Sequence, residues 1–178
     1  GWGRYAVEVA SGARQHGVEP VFITSRPDID PELSGCEHHP ILPPLFGGRL
    51  TTLRTLLWVP KVRRILRSCD LVHCIVEPYA PLAALARTRR MPFLLSVFGT
   101  WAIRPLEQPL SRLLFRWAFR QADVILSISS YTRDWMARLI DLPRIEVLPG
   151  GVHPDRFAEL VAADLPEWVG HSPLVFSA

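Results

Sequence analysis

An α/β fold with a doubly wound, mostly parallel sheet is predicted by three features of the 178-residue sequence. Short β-branched or apolar runs alternate with amphipathic helical stretches along most of the chain, the signature of βαβ units. One run, Phe93-Leu94-Leu95-Ser96-Val97-Phe98, is nearly continuous in apolar residues. Such a run marks a strand buried on both faces of a parallel sheet covered by helices. It breaks off at Gly99-Thr100, and a glycine there lets backbone approach a ligand at the strand end where open α/β sheets bind them. Phe98-Gly99-Thr100 is therefore expected at the floor of a cleft.

Taken in order, residues 5–16 have helical spacing at Tyr5, Val9 and Ala13 and stop at Gly17. Residues 18–25 read as a β-branched strand, closed by Arg26-Pro27. A loop rich in Pro, Asp and His follows over 28–44, with a short strand expected near Ile41-Leu42. Residues 50–68 read as helix, with a kink or a break at Pro60, which lacks a backbone donor. Strands are expected at 70–76, 93–98, 123–129 and 145–148. The helices between them are placed at 81–89, 106–121 and 130–139, the last capped by Ser129 or Ser130. Right-handed crossovers would wind these units into a Rossmann-like domain. The strand that should precede the first helix is absent.

Hydrophobic residues make up 48% of the chain and charged ones 21%, a balance that argues for a packed core and against disorder. No apolar run approaches the ~20 residues of a membrane span. The net charge of +3 rests on arginine, since Lys61 is the only lysine; planar guanidinium forks suit phosphate and carboxylate. The three cysteines, Cys36, Cys69 and Cys74, have no framework spacing, so a reducing, cytoplasmic compartment and no secretory leader are expected.

Several stretches could carry chemistry. Gly1-Trp2-Gly3-Arg4-Tyr5-Ala6 fits G-x-G-x-x-A, in which glycines admit a pyrophosphate to a helix amino terminus. The next strand ends in Thr24-Ser25-Arg26 without the ribose-binding carboxylate of a nicotinamide site. His73, in an apolar strand and followed by Cys74 and Glu77, reads either as a satisfied core residue or as part of a site. Cys36, His38, His39, Cys69, His73 and Cys74 lack paired ligand spacing, so no metal is expected. Nothing resembles a nucleophile elbow or a paired-carboxylate hydrolase. Arg112, Arg116 and Arg120 fall at i, i+4 and i+8 beside Phe115 and Phe119. They form either a solvated face or a contact for an anionic membrane surface or phosphorylated acceptor. No nucleic-acid-binding module is present.

Five motifs then fall in a telling order. Gly1-Trp2-Gly3-Arg4-Tyr5 is similar to a G-G-x-x-x-Y entry into a first helix, and Asp70-Leu71-Val72-His73 to a D-[VI]-[VI]-H strand. Ser96-Val97-Phe98-Gly99-Thr100 is similar to T-x-H-G-T, and the segment 122–130 to A-D-x-[VI]-[IV]-x-x-S. The segment 147–157 resembles V-I-P-N-G-V-D-x-x-x-F. From Gly1 to Phe157 the chain thus resembles the amino-terminal half of retaining glycosyltransferases of family 4, which have the two-domain GT-B fold.

That resemblance implies transfer of a sugar from a nucleotide-sugar donor to a glycan, lipid-linked or small-molecule acceptor, with no separate cofactor. It implies an acceptor-side domain over 1–157, a linker over 158–172 and the start of a nucleotide-binding domain over 173–178, with the chain cut at both ends and inactive by itself. Gly1 and Gly3 would meet the donor diphosphate; His73, Glu77, Gly99 and Thr100 would line the sugar and acceptor pocket. Phe98 stands where the family usually has a histidine, so that role does not carry over, and His73 is the nearest replacement. Gly150 stands for the usual Asn and His153 for the usual Asp, and the family's E-x₇-E motif would lie in the second domain. A nicotinamide-dependent oxidoreductase, a nucleotide-sugar epimerase of similar fold and a non-catalytic sugar- or nucleotide-binding module are the rival readings. The Arg112, Arg116 and Arg120 stripe would hold the protein at the inner face of a membrane.

Overall fold

A computed structural model describes residues 1–45, 51–142 and 144–151. The linker and second-domain start expected over 158–178, and His153, lie outside the described residues.

Helix and strand alternate as the sequence predicts. Helix α1 (Trp2–Gln15) opens the chain, with Gly1 as its amino-terminal cap. Strands β1 (Val21–Ile23) and β2 (Glu37–His39) pair in parallel, Val21 opposite Glu37. Helices α2 (Thr51–Thr55) and α3 (Val59–Leu66) flank a tight 3-10 turn. Then come β3 (Val72–Cys74), α4 (Ala80–Ala86), β4 (Phe93–Val97), α5 (Thr100–Glu107) and α6 (Pro109–Arg120). Strand β5 (Val124–Ser127), α7 (Ser130–Leu139) and β6 (Ile145–Val147) complete the described part. Strands β3-β4-β5-β6 form one parallel sheet in chain order, with Leu95 opposite Ile125 and Ser127 opposite Val147; β1-β2 forms a second. The result is a Rossmann-like α/β fold of the kind found in a GT-B half.

Strand β4 is the centre of the core. Phe93, Leu95 and Val97 are fully buried, and so is Ser96 between them, so both faces of the strand are covered. Phe115 and Phe119 from α6, Ala80 and Ala86 from α4, and Leu106 from α5 close around it. Burying each of the Phe, Leu and Val side chains contributes roughly 1.5–3 kcal/mol. A second, smaller cluster holds Val7, Ala10 and Leu33, with Phe22, Ile29 and Cys36 packed against it. It joins α1 to the β1-β2 pair.

Four sequence expectations are corrected. The strand placed near Ile41-Leu42 is β2, at Glu37–His39. Its polar side chains hide it from a hydrophobic pattern, because parallel pairing with β1 depends on backbone groups. The single helix expected over 106–121 is broken at Gln108, whose extended backbone (φ −84°, ψ 124°) precedes Pro109; a proline disfavours helical geometry in the residue before it. Helix α5 therefore starts at Thr100, where no helix was expected. Finally, Gly3 lies inside the first turn of α1, so the glycine segment is the start of the helix and not a turn ahead of it. The break at Pro60 is as expected, with the proline in the first turn of α3, where its missing donor costs nothing.

Candidate functional site

The carboxyl ends of β4 and β5 open into a cleft of about 500 Å³. Phe98, Gly99 and Thr100 form its floor, Ile103 and Arg104 of α5 one wall, and Ser129, Tyr131, Thr132 and Trp135 of α7 the other. Gly99 makes the turn from strand into helix. Its φ of 112° is open to glycine and strained for other residues, and its carbonyl accepts from the amides of both Ala102 and Ile103 at 2.9 Å. Ser129 caps α7 by accepting from the Thr132 amide at 3.2 Å. Two helix amino termini thus face the same cleft.

A third is adjacent. The Trp2 ring of α1 lies 5.9 Å from Trp101 of α5, and Tyr5 meets Phe98 edge to face at 4.9 Å. The first turn of α1 is thereby held beside the start of α5. Helix amino termini carry partial positive charge and unpaired N–H groups, so the assembly suits an anionic ligand. Gly1 and Gly3 are exposed, and a Cβ on either would meet nothing within 4 Å.

Behind the floor lies a polar layer. Glu77, in the 3-10 turn Glu77–Tyr79 after β3, is fully buried, and its Oε1 accepts the Phe98 amide hydrogen at 2.6 Å. Among the described residues its Oε2 has no hydrogen bond. Burial raises the Glu77 pKa to about 7, outweighing the Phe98 amide and the Trp2 indole, which favour the charged form. His73 Nε2 and Ser96 Oγ are 2.8 Å apart, and Ser96 Oγ donates to the Tyr5 hydroxyl at 3.3 Å. Burial lowers the His73 pKa to about 4, so the imidazole is neutral at pH 7.

Of the residues singled out in the sequence, Phe98, Gly99 and Thr100 line the cleft. Glu77 braces that floor from within, and Gly1 and Gly3 sit beside it on α1. His73 stands one strand away, tied to Ser96, and does not line the cleft. Sequence reasoning missed Tyr131, Trp135, Ile103 and Arg104. The aromatic pair at i and i+4, with centroids 5.8 Å apart, was the available signal on α7. Among the described residues no cluster of His, Cys, Asp or Glu could hold a metal ion, and no helix is long and apolar enough to cross a membrane.

A family model described as Glycosyltransferase Family 4 matches residues 1–156. No curated protein matches the chain.

Proposed function

The chain belongs to glycosyltransferase family 4, and on that premise we propose that it is the acceptor-side half of an enzyme that moves a sugar from a nucleotide-sugar to an acceptor with retention of configuration. The observation that carries this reading is the meeting of the α1 and α5 amino termini beside Phe98-Gly99-Thr100. In such a transfer the bond between the anomeric carbon and the diphosphate breaks, and a bond to the acceptor oxygen forms. The nucleoside diphosphate departs with the electron pair, and the acceptor hydroxyl passes its proton to an oxygen of the departing diphosphate. Backbone N–H groups and helix dipoles aimed at the departing charge are the means by which protein lowers that barrier.

Gly1 and Gly3 leave open the space a diphosphate needs, and Gly99 and Thr100 offer the acceptor a floor of backbone. Glu77 holds that floor in place. The nucleotide would be bound by a second domain carrying paired glutamates. A cytoplasmic location belongs to the same proposal and rests on the three cysteines, which are free thiols.

The test is transfer by a protein carrying both domains, offered a panel of nucleotide-sugars, with the anomeric configuration of the product read by NMR. Transfer with retention supports the proposal; inversion of configuration, or the absence of turnover with every donor, overturns it. One observation favours a second reading, a binding module without transfer: the phenyl ring of Phe98 cannot hydrogen-bond a sugar hydroxyl and is packed on Tyr5. If Phe98→His leaves turnover at zero while a sugar or nucleotide still binds, the second reading gains.

A further inference from the structure

Helix α6 buries Phe115, Ala118 and Phe119 in the core and leaves large apolar residues on its outer side. Leu110 is 92% exposed, Leu113 76% and Trp117 38%. At 3.6 residues per turn these three fall within about 60° of the helix circumference. Arg112, Arg116 and Arg120 occupy the adjoining sector of about 80°. Arg112 and Arg120 are exposed and Arg116 half-buried. Among the described residues no carboxylate pairs with any of the three; Arg120 Nε donates to the Asp141 carbonyl at 3.2 Å. The sequence of α6, PLSRLLFRWAFR, contains no acidic residue.

We infer that this face of α6 seats on an anionic lipid surface, with Leu110, Leu113 and Trp117 entering the acyl boundary and the arginines meeting headgroup phosphates. Exposed leucines on a folded surface call for a partner when they cluster. Charge decides which partner. The core of a protein interface is depleted in charge, whereas here a file of guanidiniums runs directly beside the apolar stripe. A second copy of the chain seated antiparallel by twofold symmetry would set arginine against arginine. A membrane interface accepts both stripes at once, the tryptophan ring included. Helix α6 follows α5 directly across Gln108, and α5 begins in the cleft at Thr100. Docking therefore brings the cleft within about 12 Å of α5's length from the lipid. With the glycosyltransferase reading, on which this last step rests, that spacing favours a lipid-linked acceptor.

The experiment is vesicle co-sedimentation of the intact chain, independent of any sugar transfer. Binding is expected to vesicles of phosphatidylcholine mixed with phosphatidylglycerol, and to fall with salt. Each of Arg112→Gln and Arg116→Gln should weaken it about fivefold, and Leu110→Ser with Leu113→Ser about tenfold or more. Circular dichroism should be unchanged, since all four side chains lie outside the core. Equal binding to phosphatidylcholine alone overturns the inference, as does no binding to either vesicle. Concentration-dependent self-association abolished by Leu113→Ser, without vesicle binding, identifies the face as a protein contact and overturns it too.

Discussion

The buried carboxyl of Glu77 accepts the amide hydrogen of Phe98 at 2.6 Å, fixing the end of β4 just before the positive-φ turn at Gly99. Side chain and backbone are 21 residues apart in sequence, and their bond sets the height of the cleft floor. Glu77→Ala strands the Phe98 donor and opens a cavity, at a cost of about 1–3 kcal/mol for the unpaired group alone. Glu77→Gln keeps an acceptor oxygen and should cost less. Urea midpoints of the two variants test the order; equal losses would show that the bond is not what holds the floor.

Glu77 and His73 titrate against each other. The Glu77 pKa rises from 4.5 to about 7 in the folded chain, so its contribution is full below pH 4.5 and lost as pH rises to 7. The His73 pKa falls from 6.5 to about 4, so its contribution is full above pH 6.5 and lost as pH falls to 4. Each slope is at most about 1.4 kcal/mol per pH unit, and between pH 4.5 and 6.5 they oppose. Wild-type stability should be nearly flat there. Glu77→Gln should gain stability with rising pH in that window, and His73→Gln should lose it. Urea denaturation at several pH values reads both, and parallel curves for the three proteins would refute the opposition.

Gly99→Ala should destabilise the fold by roughly 1–3 kcal/mol through backbone strain at positive φ. The added methyl would meet Thr132 Oγ1 at 3.5 Å, an ordinary contact. Removing that neighbour with Thr132→Ala should therefore not restore thermal stability. Recovery in the double variant would mean that side-chain crowding, not the dihedral angle, makes glycine necessary.

Gly3→Ala separates folding from function. The position is helical and open, so alanine should stabilise α1 by about 0.5–1 kcal/mol. If diphosphate approaches over Gly3, the same change lowers turnover in the two-domain enzyme. A gain in melting temperature with unaltered kinetics would remove Gly3 from the site.

The sequence made the buried run of β4, the Ser129 cap and the kink at Pro60 legible, because each depends on local chemistry: apolar continuity, a hydroxyl before a helix, a missing donor. Helix α5 was not legible. Its eight residues include an interior Pro105, and its apolar period runs on past Gln108 into α6. Strand β2 was hidden because Glu37, His38 and His39 alternate nothing; their pairing with β1 is a backbone matter. The cleft floor could be read from a glycine after a strand. The α7 wall left only the aromatic pair Tyr131 and Trp135 as a trace, and the fold alone reveals that both line the cleft opposite α5.

The division of the core into two clusters bears on how the site behaves in time. Helix α1, which carries Gly1 and Gly3, is anchored by the small cluster of Val7, Ala10 and Leu33, while Gly99 and Thr100 stand on the large one. Among the described residues its ties to the main body include the Tyr5 hydroxyl with Ser96, the Tyr5 ring with Phe98, the Trp2 ring with Trp101 and the Trp2 indole with Glu77, mostly polar or ring-edge contacts. With so little apolar burial behind it, α1 forms a weaker cooperative unit than the four-stranded sheet. Its amides should exchange with solvent at a lower free energy than those of β4 and β5. If α1 meets the diphosphate as proposed, that side of the site would open and reclose many times for each unfolding of the Gly99-Thr100 side. A bound anion, by bridging α1 to α5, would slow exchange in α1 first.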